Sequence, residues 1–283
     1  MTVPRPALLE AAKSPRWAVV YDRATNVAVW LSPVVALVLG VGSLIASTPN
    51  DIGPFGLVQA LKPMLYFCLV LLTASFVTVL FIRRSLPALL LAMHVGVLIV
   101  LLHGAATIIE PVPRFTPAWL HVGFADYIAR TGHTLPLDAR MSWPGFFALA
   151  AMVTRAAGLQ NSMPLLGWTP VLFNGLYGMA VYLIARNTTP DRRAAWLAVW
   201  LFYPANWVGQ DYFAPQGLNF AFYLVIVAAL LMWFRPLRLE RIRRRLRRMP
   251  WRHLGIIADL PRRAVGLPQR PMQGERDNLE LLP

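Results

Sequence analysis

The chain has 283 residues, 57% of them hydrophobic and 14% charged, where a soluble domain of this length carries about 25% charged residues. The apolar residues come in runs long enough to cross a bilayer, so composition excludes an ordinary soluble domain and predicts an all-α, polytopic transmembrane helix bundle. The net charge of +14 comes from arginines set beside those runs; with no zinc spacing and no RNA-binding aromatic motif, it points to membrane lipids rather than nucleic acid.

Residues 1–26 mix both charge signs and lack a short apolar core with a small-residue cleavage site. A cytoplasmic N-terminal segment leading into an uncleaved anchor is expected. The transmembrane helical domain is 27–234, with spans expected at 27–47, 61–82, 86–109, 165–185, 194–207 and 217–234. Cys68, the only cysteine, falls inside the second run and reads as a small core or lipid-facing residue. Residues 110–164 form a long polar and aromatic loop. In it, "TPAWLHVGFADYIARTG" (116–132) reads as a short helix capped by Thr116, with Pro117 at its first position. "PGFFALAAMVTRAAGL" (144–159) is too short to span easily. It is expected to lie on the outer membrane surface, with Phe146, Leu149 and Val153 on its apolar side and Arg155 reaching the headgroups.

Charge sets the topology. With about six spans, the N-terminus, Arg83, Arg84, Arg192, Arg193 and the basic tail 235–283 all lie in the cytoplasm; a seventh would expel the tail. The tail opens as "RPLRLERIRRRLRRMPWRHL", a basic helix suited to the inner leaflet, and ends in a stretch of disordered composition. Segments 48–60, 110–164 and 208–216 are then extracytoplasmic.

That face carries Asp51, Glu110, Asp126, Asp138 and Asp211. Glu110 stands where the third run ends at "PVPR", and a carboxylate there can meet a polar group on a lipid-borne substrate. His103 lies seven residues earlier, on roughly the same helix face. Asp126 has Arg130 four positions on as a simple partner, and Asp138 has Arg140 or a turn to cap. His121 reads equally as a plain interfacial histidine, and Asp51 as loop polarity. His94 lies mid-span, where a helix–helix hydrogen bond is the default.

The stretch "NWVGQDYFAPQGLN" packs Asn206, Gln210, Asp211, Gln216 and Asn219 between two spans. Unpaired amides in lipid cost several kcal/mol, so these groups are expected to line a polar cavity or bond one another. Tyr212 and Phe213 offer ring faces to a sugar or an isoprenoid chain.

The segments "PRFTPAWLHVGFADYIARTG", "LDARMSWPGFFALAAM" and "NWVGQDYFAPQGLNFAFYLV" resemble actinobacterial multispanning proteins related to glycosyltransferases of the GT-C fold. The resemblance covers roughly residues 86–234. It implies a polyprenyl-phosphate sugar donor, work at the extracytoplasmic face in cell-envelope assembly, and a carboxylate in the first large outer loop acting as general base or acceptor guide. Glu110 matches that position, and Asp126 and Asp138 are the other catalytic candidates. Arg114 and Arg140 are available to steady the leaving phosphate, with His121, Gln210, Asp211, Tyr212 and Gln216 as further substrate-binding candidates. Some GT-C enzymes use a divalent metal; no ligand cluster is evident here, so the cofactor is left open. Relatives are longer, so a truncated member, or one needing a membrane-protein partner to supply missing spans, is also expected. The rival readings are a non-catalytic scaffold or subunit of an envelope complex and a transporter of a lipid-linked substrate.

Overall fold

The computed structural model describes residues 16–82, 86–110, 115–135, 138–206 and 211–234, with side chains from residue 25 onward. The chain divides into two units, Met1–Ala228 and Ala229–Pro283, and the described part of the second is only the end of the last helix. The basic tail and Arg83, Arg84, Arg114 and Gln210 lie outside the described residues.

The described chain is helical: α1 (Arg16–Ile45), α2 (Leu57–Ala60), α3 (Pro63–Val77), α4 (Ala88–His103), α5 (Ala105–Ile109), α6 (Thr116–Thr131), α7 (Gly145–Ala156), α8 (Met163–Thr188), α9 (Arg192–Ala205) and α10 (Pro215–Phe234). No strand occurs among the described residues; the bridge between Gly53 and Gly56 only closes a turn. Long apolar runs choose helix because it satisfies every backbone N–H and C=O within the segment. Four helical stretches are long and apolar enough to cross a membrane: Thr25–Ile45, Pro63–Ile82, Met163–Thr188 and Pro215–Phe234. Their large apolar side chains are exposed in rows, including Val34 and Val38 on α1, Phe67 and Val70 on α3, and Phe222 and Ile226 on α10. Water would not tolerate such faces at this extent, whereas lipid would.

The third expected span is broken. Helix α4 runs for 16 residues and stops at Gly104, and α5 resumes for only five. A Cβ at Gly104 would lie 2.5 Å from the Val100 carbonyl oxygen, so only glycine permits this backbone. Helix α9, at 14 residues, is about 21 Å long, shorter than a bilayer core of about 30 Å.

Two cores hold the described body together. The first joins α1, α3, α4 and α9 through Leu44, Leu65, Leu72, Phe76, Leu91 and Trp200. Phe76 stacks on Trp200 with centroids 4.1 Å apart, a contact worth about 0.5–1.5 kcal/mol beyond its burial. His94 sits fully buried in this core. Its Nδ1 donates to the Leu90 carbonyl (2.8 Å), which leaves Nε2 to accept from the Ser75 hydroxyl (2.9 Å), and Ser75 in turn accepts from Ser32. The expected helix–helix hydrogen bond of His94 thus links α1, α3 and α4.

The second core joins α6, α7, α8 and α10 through Phe124, Phe147, Phe173, Tyr177, Phe213 and Leu224. On α7, Phe146 is buried together with Phe147, Ala150, Ala151 and Thr154, while Leu149 and Val153, of the same expected apolar side, are exposed. Helix α7 packs on α6. Arg155 does not serve only the headgroups: its guanidinium donates to the Ala129 carbonyl at the end of α6 (3.2 Å).

Candidate functional site

Asp211 lies in the connection from α9 to α10, just ahead of α10. Its Oδ2 accepts from His103 Nδ1 (2.9 Å) and from Asn174 Nδ2 (2.6 Å). His103 is the last residue of α4, presented where Gly104 breaks the helix; Asn174 is fully buried in the middle of α8. Three separate parts of the chain therefore converge on one carboxylate oxygen. Among the described residues, Oδ1 takes no hydrogen bond from another residue. The Asp211 side chain remains 19% exposed.

Electrostatics favours a charged Asp211. Burial pushes its carboxyl up, but the hydrogen bond and charge of His103, with the Asn174 amide, outweigh that and leave it below the usual carboxylate range. Because Nδ1 faces a carboxylate, it carries a ring proton. His103 Nε2 and Asn174 Oδ1 are buried without hydrogen-bond partners among the described residues. Asn174 is itself fixed: its Nδ2 also donates to the Pro170 carbonyl (2.8 Å), and its backbone carbonyl accepts from Tyr203 Oη (2.9 Å). Tyr203 stands edge-on to the His103 ring, with centroids 5.9 Å apart.

Helix α6 is fastened to this corner. His121 on α6 donates through Nδ1 to the Phe213 carbonyl (2.8 Å), and its ring lies parallel to Tyr212, 6.1 Å away. His121 is thus more than an interfacial side chain. Phe115, just before α6, meets Tyr212 with centroids 4.4 Å apart. Phe213 is buried against Phe146 and offers no face to a ligand, while Tyr212 is only half-buried.

The other expected site residues lie as follows. Glu110 is half-buried at the C-terminal end of α5, its amide bonded to the Ala106 carbonyl (2.8 Å). Asp126 does not pair with Arg130, whose Nε reaches only the Asp126 backbone carbonyl (3.3 Å). Its carboxylate accepts instead from the amide and hydroxyl of Ser162, both at 2.7 Å, at the start of α8. Asp138 caps the short turn Ala139–Ser142 and holds the Arg140 guanidinium at 2.9 and 2.6 Å, the simpler role weighed for it. The guanidinium beside Asp138 keeps that carboxyl below its usual range. Arg140 also lies over the Phe124 ring, 5.0 Å from its centroid. Gln216 is exposed on the first turn of α10, and Asn219 is exposed beyond it, so these amides do not join Asp211. Asp51 pairs with Lys62 (3.1 Å). Thr116 begins α6 rather than capping it; Phe115 precedes the helix and supplies no side-chain cap.

Sequence reading missed Asn174 and gave His103 no site role. The available signal was an amide set in the middle of an apolar run, where it must find a partner. Among the described residues no group of three or more His, Cys, Asp or Glu side chains is arranged to hold a metal ion.

The fold and site define a helical protein with four helices long and apolar enough to cross a membrane and a part-buried carboxylate–histidine–amide cluster. No family model, curated protein or solved structure shows significant similarity to this chain.

Proposed function

We propose that the chain is a multi-pass integral membrane protein of the GT-C-like glycosyltransferase kind. It acts at the extracytoplasmic face on a polyprenyl-phosphate-linked sugar in cell-envelope assembly. Both termini lie in the cytoplasm, and α4 with α5 and α9 cross the membrane beside the four longer spans. Membrane lipid surrounds the bundle, and a further membrane protein supplies spans if the donor groove is incomplete.

One observation carries this reading. The acid-bearing helix α6 is tied by the His121–Phe213 hydrogen bond to the turn that holds Asp211, which gathers this helix and the Asp211 cluster at one corner. Glycosyl transfer needs such a gathering: a carboxylate for the acceptor proton, donors for the leaving phosphate, and an apolar path for the lipid chain. Glu110, Asp126, Asp138 and Asp211 are the acids of that face, and Arg114 and Arg140 its phosphate-steadying cations.

The scaffold reading has an observation of its own. Asp126 and Asp138 already serve as caps within the protein, as acids in a non-catalytic subunit would. One experiment separates the two. Full-length protein in nanodiscs is incubated with a polyprenyl-phosphate hexose and an alkyl hexoside acceptor, and released polyprenyl phosphate is measured. Release above protein-free nanodiscs supports the transferase; none, from protein shown to be folded, leaves the scaffold.

A further inference from the structure

We infer that Asp211 is the proton-accepting carboxylate of the proposed transfer, with His103 and Asn174 as the residues that position it. The assignment rests on the transferase reading and selects among its acids. Asp126 uses its Oδ1 twice, on the amide and hydroxyl of Ser162, and so closes the start of α8. Asp138 is chelated by the guanidinium two residues on. Asp211 is arranged differently. One oxygen is clamped by an imidazole and an amide from two other helices, the other takes no hydrogen bond from another described residue, and the side chain still reaches the surface.

Two further features mark this as a built site. Asn174 is fully buried, yet neither its Oδ1 nor Nε2 of His103 has a partner among the described residues. Burying unpaired polar atoms is costly, and a cluster that served packing alone would satisfy them. Both unpaired atoms suit a site that takes a polar ligand. Tyr212, next in sequence, and Phe115 form an aromatic pair beside the carboxylate, a surface on which a sugar ring can stack.

The step balances without a redox partner. The acceptor hydroxyl oxygen attacks the anomeric carbon, and its proton moves to Asp211 Oδ1. The bond from that carbon to the phosphate oxygen breaks, and its electron pair leaves on polyprenyl phosphate. His103 keeps its Nδ1 proton on Oδ2, so the accepting oxygen is always Oδ1. The ionisable groups facing Asp211 are His103 on α4 and Tyr177 on α8, and Tyr203 on α9 stands against His103.

The test uses full-length protein in nanodiscs, with a polyprenyl-phosphate hexose as donor and an alkyl hexoside as acceptor. Rates are taken across pH for wild type, Asp211→Asn, His103→Gln and a control, Asp51→Asn. The inference expects wild-type transfer to fall on the acid side along one ionisation, and Asp211→Asn to bind donor but transfer about 100-fold slower or worse. His103→Gln keeps a hydrogen-bond donor but loses the imidazole charge, so its acid limb moves to higher pH, a change that loosened packing alone would not make. Asp51→Asn keeps the wild-type profile. If Asp211→Asn does not fold, the His103→Gln limb decides. Transfer by Asp211→Asn within a few-fold of wild type, or an unmoved limb in His103→Gln, overturns this assignment and leaves the transferase standing. No transfer by folded wild type overturns both.

Discussion

Asp126 on α6 accepts two hydrogen bonds from Ser162, one from its amide and one from its hydroxyl, both at 2.7 Å. The hydroxyl also lies 2.9 Å from the Thr154 hydroxyl on α7, so one buried serine gathers α6 and α7 at the start of α8. Free amides at a helix start are satisfied by such caps. Asp126→Ala is therefore expected to cost about 1–2 kcal/mol of stability, read as a lower unfolding midpoint in detergent. The Asp211 acid limb should stay where it is.

His121 ties that helix pair to the Asp211 corner. His121→Phe keeps the ring but removes the donor to the Phe213 carbonyl. The unpaired acceptor costs about 1–3 kcal/mol. Amide hydrogen exchange should quicken at Tyr212, Phe213 and Ala214, with little change in α1 or α3. Unchanged exchange in that turn would show that the hydrogen bond does not hold it.

Gly178 leaves room for the hydroxyl that fixes Asn174. A Cβ there would lie 2.0 Å from Tyr203 Oη, which now donates to the Asn174 carbonyl. Gly178→Ala must displace that hydroxyl, at a cost of about 1–3 kcal/mol. Adding Tyr203→Phe should recover much of the loss, because the clashing oxygen is gone. Thermal unfolding of the two single variants and the double variant measures this coupling directly.

The Ser32–Ser75–His94 chain is a test of the first core. Interhelical hydrogen bonds within membranes average about 0.6 kcal/mol, with a maximum near about 1.7. Ser75→Ala should fall in that range and leave the Asp211 corner untouched. A larger loss would mean that the chain also fixes how α1, α3 and α4 pack.

Asp211 gives a signed pH dependence. Its folded carboxyl lies below the usual carboxylate range, so its contribution to stability is present above the unfolded pKa. That contribution is lost as pH falls through the folded value. Acid unfolding of wild type should include this loss, and Asp211→Asn should lack it. If both proteins lose stability alike on acidification, the His103 and Asn174 contacts do not stabilise the charged form.

The membrane helices and the outer loop were legible because they rest on local composition: unbroken apolar runs, and Pro117 and Gly132 at the ends of α6. Gly132 closes that helix at φ 74°, a left-handed turn that favours glycine. The break at Gly104 was not legible, since the run on either side is equally apolar and only the folded backbone shows that a Cβ there would meet the Val100 carbonyl. On α7 the apolar side of Leu149 and Val153 could be read from helical spacing, but the burial of Phe146 could not, since it depends on Phe173 and Phe213 from other parts of the chain. The site itself was half visible. Asp211 stood out as an acid among apolar residues, but its partners are 108 and 37 residues away, and no periodicity relates them. Asn174 was overlooked because a single amide hardly changes the hydropathy of a run.

The most direct test of the central claim is to map where the lipid-linked sugar sits. Full-length protein in nanodiscs is photolabelled with a diazirine-bearing polyprenyl-phosphate hexose, and the labelled peptides are identified. The account predicts label at the start of α6 around Phe115 and Trp119 and in the turn from Tyr212 to Gln216, displaced by unlabelled donor. Label confined to α1 and α3, or label that excess donor does not displace, would contradict it.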